Sequence, residues 1–198
     1  METIILYHKS DFTAPIYAER DEVYTNRNTL YDEYYITVVD AFVFHTSWRI
    51  FLQKRSMNKK VSPGLLHTSI GGHVNVGEPI EYTLAHETME EFWYPSILVP
   101  HSIGWEESLE KFVPYLDRWV LMKQIFTGPI DFIGADWQKS YDIFNDFIGI
   151  FGGEPENLDK SAECFIPKTL EEVDELISIK TDTLTKSFMK HYEMHREQ

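Results

Sequence analysis

Three glutamates, Glu87, Glu90 and Glu91, follow a glycine turn at Gly71-Gly72, with Glu78 lying between turn and cluster. At about 100° per residue on a helix, the three side chains fall within an arc of roughly 100°. Carboxylates crowded on one face repel one another and destabilise the helix unless something neutralises them. A hard divalent cation does so, because Mg²⁺ is held by carboxylate oxygens and commonly by substrate phosphates as well. The spacing therefore points to a metal site for diphosphate chemistry. A solvated acidic face is the competing reading, since the formal net charge is −14 and clustered glutamates are usually just that. The glycine turn, Glu78, Pro79 in the first turn and an apolar face expected at Ala85, Met89 and Phe92 favour the metal site.

A second concentration of charge precedes the turn. Four of the 18 basic residues lie within Lys54-Arg55-Ser56-Met57-Asn58-Lys59-Lys60, enough to receive a small anion in an otherwise acidic chain. Alone it would read as a solvated loop; beside the glutamates it reads as a phosphate contact. A planar guanidinium at Arg55 offers bidentate bonds to phosphate, and Lys59 adds a point charge.

These groups need a scaffold. The chain has 198 residues, 43% hydrophobic and 15% aromatic, which supports a substantial core and argues against disorder. The run Tyr34 to Phe44 is β-branched and aromatic, as in a buried strand, and Trp48 to Gln53 reads as a second strand. Leu65 to Val74 is expected to return as one strand into the glycine turn, with the glutamate helix over 79–93. A short helix is expected over 106–112, a strand over Trp119 to Phe126, a turn at Thr127-Gly128-Pro129 and a strand over Asp142 to Phe151. Gly152 to Asn157 reads as a loop, and Glu163 to Pro167 as a final strand. Thr169-Leu170-Glu171-Glu172 has capping-box spacing for a helix to about Ile177. A last helix over 183–196 carries Leu184, Phe188 and His191 on one side. The expected architecture is an α/β sandwich with a mixed sheet. It divides into an extension (1–33), a main domain (34–178, with an insertion at about 95–116) and a C-terminal helix (179–198).

The net charge disfavours a nucleic-acid polymer as partner, and no apolar run approaches the length of a membrane span. One cysteine, Cys164, and an N-terminus without a basic region and long apolar stretch suit a reducing cytoplasm.

The glutamate segment resembles the signature of the Nudix hydrolase superfamily: glycine, five residues, glutamate, seven residues, then arginine-glutamate-aliphatic-any-glutamate-glutamate-any-glycine. Gly72, Glu78, Glu87, Glu90 and Glu91 are in register, while His86 replaces the arginine, Trp93 the glycine and Thr88 the aliphatic residue. The resemblance implies a Nudix-type α/β/α sandwich and hydrolysis of a diphosphate linkage in a nucleoside diphosphate derivative. It further implies Mg²⁺ or Mn²⁺ held by Glu87, Glu90 and Glu91 with the Gly72 carbonyl, and a homodimer as in similar proteins. The general base varies in position; Glu163 is the candidate, with Glu154 and Glu156 competing. The family arginine pairs with the residue matching Glu78. Histidine is shorter than arginine and charged only when protonated, so His86 is expected to pair with Glu78 only in that form, with weaker activity and lowered tolerance of alkaline pH. Trp93 is expected to end the helix by packing in the core.

Leu52 to Gly64 also resembles type I isopentenyl-diphosphate isomerases, in which the residues matching Arg55 and Lys59 contact the diphosphate. His73 matches a metal-binding histidine of that branch, although a lone histidine is more often a structural hydrogen-bonder. The isomerase cysteine is replaced by Gly71 in Ser69-Ile70-Gly71-Gly72-His73, and the upstream histidine ligands have no counterpart between Tyr31 and Phe44. Hydrolysis is the preferred expectation; an isomerase-like enzyme and a non-catalytic ligand-binding module are the alternatives.

Overall fold

The computed structural model describes residues 2–26, 30, 32–133, 139–156, 162–179 and 182–196, of which 132–133 and 139–141 are described by backbone alone. The apolar run read as a buried strand becomes the spine of the sheet. This strand, β3 (Tyr34–His45), follows β1 (Thr3–His8), β2 (Asp11–Glu19) and the short helix α1 (Arg20–Thr25). Along one edge β3 is shared by three partners: β1 at 34–36, β6 (Ile70–His73) at 38–41, and β4 (Ile50–Arg55) at Phe44. Its other edge pairs in parallel with β9 (Lys139–Phe151) over ten positions. A strand hydrogen-bonded on both edges and covered on both faces needs the near-continuous apolar sequence found here. The extension of the first 33 residues is thus hydrogen-bonded into the sheet, with its own core of Ile4, Leu6, Val23 and Ile36.

The sheet runs β10 (Ala162–Lys168), β4, β3, β9, β8 (Val120–Ile133), β7 (Ser96–Leu98), with β5 (Leu66–His67) on β4. The β3–β9 and β7–β8 pairs are parallel and the others antiparallel, giving the mixed sheet expected. Residues 65–74 form two short strands, because Thr68 and Ser69 are buried and the Ser69 hydroxyl donates to the Phe51 carbonyl (2.6 Å) instead of extending a ladder. The turn expected at Thr127-Gly128-Pro129 is absent: β8 runs through it, paired with β9 at Asn145, Phe144 and Ile143. Beyond β7, whose register stops at Met122, this part of β8 is an edge among the described residues, where a proline lacking its N–H is tolerated.

Helices cover both faces. On one side α2 (Ile80–Phe92) packs Leu84 and Phe92 against Val39, Ala41, Val43, Phe51, Phe147 and Phe151. On the other, α4 (Leu170–Ser178) and α5 (Lys186–His195) bury Val173, Phe188 and Tyr192 against Phe42, Ile50 and Leu52. Each such fully buried side chain contributes about 1.5–3 kcal/mol. Near β7 and β8, α3 (Trp105–Phe112) closes a smaller cluster around Leu121 and Ile150. The capping box at α4 forms as spaced: Glu172 N donates to Thr169 Oγ1 (3.2 Å) and Thr169 N to Glu172 Oε2 (2.8 Å).

His67, on β5, meets the N-cap of α5, with Nδ1 2.9 Å from Thr185 Oγ1. Burial, reinforced by Arg55, His191 and Lys59, holds this imidazole well below its ordinary value of 6.5. Folding therefore keeps it neutral, whereas the unfolded chain takes up a proton below about pH 6.5. Stability from this group is complete above that value and is lost as pH falls below it. The melting temperature should drop between about pH 7 and about pH 5 more steeply in wild type than in His67→Gln; parallel curves would refute this.

Candidate functional site

The glycine turn and the glutamate helix meet where β6 delivers its backbone to α2. Glu87 extends over Gly72 so closely that a β-carbon there would lie 1.8 Å from Glu87 Oε1 and 2.1 Å from its Cδ. Glu91, only 4% exposed, accepts a hydrogen bond from Gly71 N at Oε2 (3.1 Å). The missing β-carbon at Gly72 is what lets Glu87 approach the sheet, whereas one at Gly71 would meet Asp40 Oδ1 instead. Arg55, at the end of β4, faces the same point: burial lowers its guanidinium, and Glu91 is the strongest opposing charge. Its Nε donates to the Val61 carbonyl (3.1 Å), which orients the fork.

The remaining residues fall less centrally. Glu90 is half-exposed, with Oε1 3.3 Å from His86 Nε2, and His86 also stacks on Tyr82. The expected His86–Glu78 pair does not form. Glu78 instead accepts from Asn75 Nδ2 (3.3 Å) and Thr83 Oγ1 (3.4 Å), because it precedes the helix whereas Glu90 lies one turn along it. Lys59, half-buried in the loop after β4, contributes positive potential near His67. Glu163 sits at a bulge in β10 and pairs with Lys54 (2.7 Å), which holds its carboxyl below the usual range. With Glu154 it lines a cavity of about 460 Å³ that includes Phe51, Cys164 and Phe165. Phe51 and Phe165 meet Phe92 edge to face at the end of α2, so the cavity opens on the α2 side of the sheet.

Two expectations about α2 itself need correction. The buried face is Thr83, Leu84, Thr88, Glu91 and Phe92, whereas Met89 is 37% exposed and Ala85 half-buried. Thr88 replaces an aliphatic residue without stranding its hydroxyl, which donates to the Leu84 carbonyl (2.6 Å). Trp93 does not pack in the core: it is 48% exposed and adopts the left-handed conformation itself, with φ 68°. A β-carbon in that region costs roughly 1 kcal/mol. Trp93→Gly should thus raise the urea midpoint, by up to about 1 kcal/mol of stability; a lowered midpoint would mean that the indole's contacts outweigh the strain.

Sequence reasoning passed over two contributions. Tyr24 of α1 places its hydroxyl 3.2 Å from His73 Nε2, so the N-terminal segment reaches the site and His73 has a hydrogen-bonding role. Separately, His191 and His195 converge on Asp146 across the sheet. The i, i+4 histidine spacing was the readable signal for the latter, but nothing in the sequence placed Asp146 beneath it.

No family model matches the chain. Over 121 residues it is 39% identical to an uncharacterised Nudix hydrolase of Nostoc sp., covering 61% of this chain and 65% of that relative's length. The solved protein DR0079 from Deinococcus radiodurans superposes with a TM-score of 0.61 at 16% identity, covering 90% of each chain. The Nudix domain of Shewanella oneidensis NrtR, complexed with ADP ribose, gives 0.56 at 16% identity, over 91% of this chain and 98% of that one. This is the Nudix fold. The chain is thus similar in sequence to a Nudix hydrolase over 121 residues and shares the fold of solved Nudix proteins. A bifunctional NMN adenylyltransferase/ADP ribose pyrophosphatase from Francisella tularensis also matches, with a TM-score of 0.51 at 16% identity, over 83% of this chain and 41% of that one.

Proposed function

We propose that this chain is a divalent-metal-dependent hydrolase of a diphosphate linkage in a nucleoside diphosphate derivative. The observation that carries the reading is the seating of Glu87 on Gly72 and of Glu91 on Gly71, with Arg55 facing Glu91. The donor set fits a hard ion: Glu87, Glu90, Glu91 and the Gly72 carbonyl are all oxygen ligands, and the space a β-carbon would fill is reserved for one of them. When bound, Mg²⁺ or Mn²⁺ polarises a phosphoryl oxygen and lowers the pKa of its water toward neutrality. Arg55 and Lys59 take the diphosphate and offset charge developing on its oxygens. Glu163 is the proposed general base; Lys54 keeps it ionised and able to accept a proton, though a lowered pKa limits its strength.

ADP-ribose heads the substrate panel, because relatives of the same fold bind it or cleave it by name. Incubation with Mg²⁺ should release a nucleoside monophosphate from it or from another nucleoside diphosphate derivative. Silence across nucleotide sugars, dinucleoside polyphosphates, coenzyme A and prenyl diphosphates would dismiss hydrolysis. One observation favours a non-catalytic binding module instead: the Glu90 carboxylate is engaged by His86, where the family has an arginine. Ligand binding without turnover across the panel is the outcome that selects it. Isomerase chemistry finds no cysteine in the glycine turn, Cys164 being exposed on β10 opposite Lys54.

A further inference from the structure

Across the sheet from α2, β9 and α5 assemble a second group of ligand-type side chains. Asp146 and His191 are fully buried and His195 is nearly so. Each offers one donor atom, and these atoms lie within 4.8 Å of one another. His191 Nδ1 is 2.8 Å and His195 Nε2 2.6 Å from the same oxygen, Asp146 Oδ2. Histidines four apart on a helix face one point, the spacing by which helices present two imidazoles to one ion.

Hydrogen bonding among the three leaves the group incomplete. Among the described residues, Asp146 Oδ1, His191 Nε2 and His195 Nδ1 have no partner despite their burial. Asp40, also buried, stands in register beside Asp146 on the neighbouring parallel strand, and its Oδ2 is likewise unpartnered. The rings of Phe42, Phe126 and Phe144 pack against the imidazoles, so the surroundings are apolar. Burying two adjacent carboxyl groups there costs several kcal/mol unless protonation or accompanying positive charge neutralises them.

We propose that Asp146, His191 and His195, with Asp40 beside them, form a second metal site for a borderline transition ion such as Zn²⁺. Two imidazole nitrogens and a carboxylate oxygen suit Zn²⁺, whereas the all-oxygen set on α2 suits Mg²⁺. Each imidazole would bind through the nitrogen that now faces Asp146 Oδ2 and keep its proton on the other ring nitrogen. The two nitrogen–oxygen distances would then widen to about 3.3 Å, as tetrahedral ligands at about 2.0–2.1 Å require. Because the group is buried and links α5 to β9, the ion's role is structural. The inference is independent of the hydrolytic reading.

The test is titration of the metal-stripped full chain with Co²⁺, then Zn²⁺, with excess Mg²⁺ occupying the α2 carboxylates. The expected result is one equivalent of Co²⁺ with the intense visible bands of tetrahedral coordination, displaced by Zn²⁺, together with a raised melting temperature. His195→Gln should weaken binding at least about 100-fold, while Glu90→Gln leaves the bands intact. Absence of those bands in wild type overturns the proposal, as does undiminished binding by folded His195→Gln. Imidazole ¹H–¹⁵N spectra of wild type decide independently of how the variant folds. Zn²⁺ must move the ring nitrogens of His191 and His195; shifts confined to other histidines reject the site.

Discussion

Glu90→Gln should lower Mg²⁺-dependent turnover by about 100-fold or more, in line with losing one group that stabilises transition-state charge, without altering the melting temperature. Glu90 is the most informative of the three because its structural ties are slight: it is half-exposed and meets only His86 among the contacts described. An exposed pair of this kind contributes under about 1 kcal/mol, so a fall in turnover cannot be traced to unfolding. Glu91→Gln should match it in turnover and also lose a few degrees in melting temperature. Glutamine keeps an acceptor for Gly71 N but withdraws the charge facing Arg55. If Glu90→Gln turns over within about threefold of wild type, the helix carboxylates are not the metal-holding set and the hydrolytic mechanism fails with them.

Gly72→Ala should be nearly as damaging, although it adds a single methyl group. That methyl would overlap Glu87 from Cγ (2.7 Å) through Cδ (2.1 Å) to Oε1 (1.8 Å), so the terminal half of the side chain must leave. Backbone strain is not the reason, since positive φ among the described glycines is confined to Gly64 and Gly77. The loss should therefore fall on turnover, by about 100-fold, with far-UV dichroism unchanged. It should also be non-additive: once Glu87→Ala has been made, Gly72→Ala should do little more, because both act through one carboxylate. Full additivity in the double variant would show that Gly72 acts elsewhere.

How far the sequence reveals these features depends on the range of the interaction. The glutamate helix, the capping box at Thr169 and the apolar spine at 34–44 were readable because spacing along the chain alone determines them. The run through Thr127-Gly128-Pro129 was not, since local turn chemistry was overruled by pairing with β9 at an edge where a missing N–H is harmless. The docking face of α2 was misplaced by the apolar character of Met89; Leu84, Thr88 and the carboxylate-bearing Glu91 occupy the core side instead. For Trp93 an aromatic side chain suggests burial, whereas its position after the helix demands the left-handed conformation. The Asp146–His191–His195 group depends on a strand and a helix some 45 residues apart in the chain, a juxtaposition that only the fold supplies.

The parallel union of β3 with β9 also has a bearing on how the chain acquires its shape. Residues 36–45 must wait for partners more than 100 positions downstream, so the spine stays half-paired until most of the chain has been made. Closing so large a loop before any of its contacts are gained makes folding slow. Until β9 arrives, the most apolar strand of the protein has one edge bare, a template for pairing with another chain. Nascent or heat-opened molecules should therefore aggregate through Val38–Phe44, well away from the glutamates.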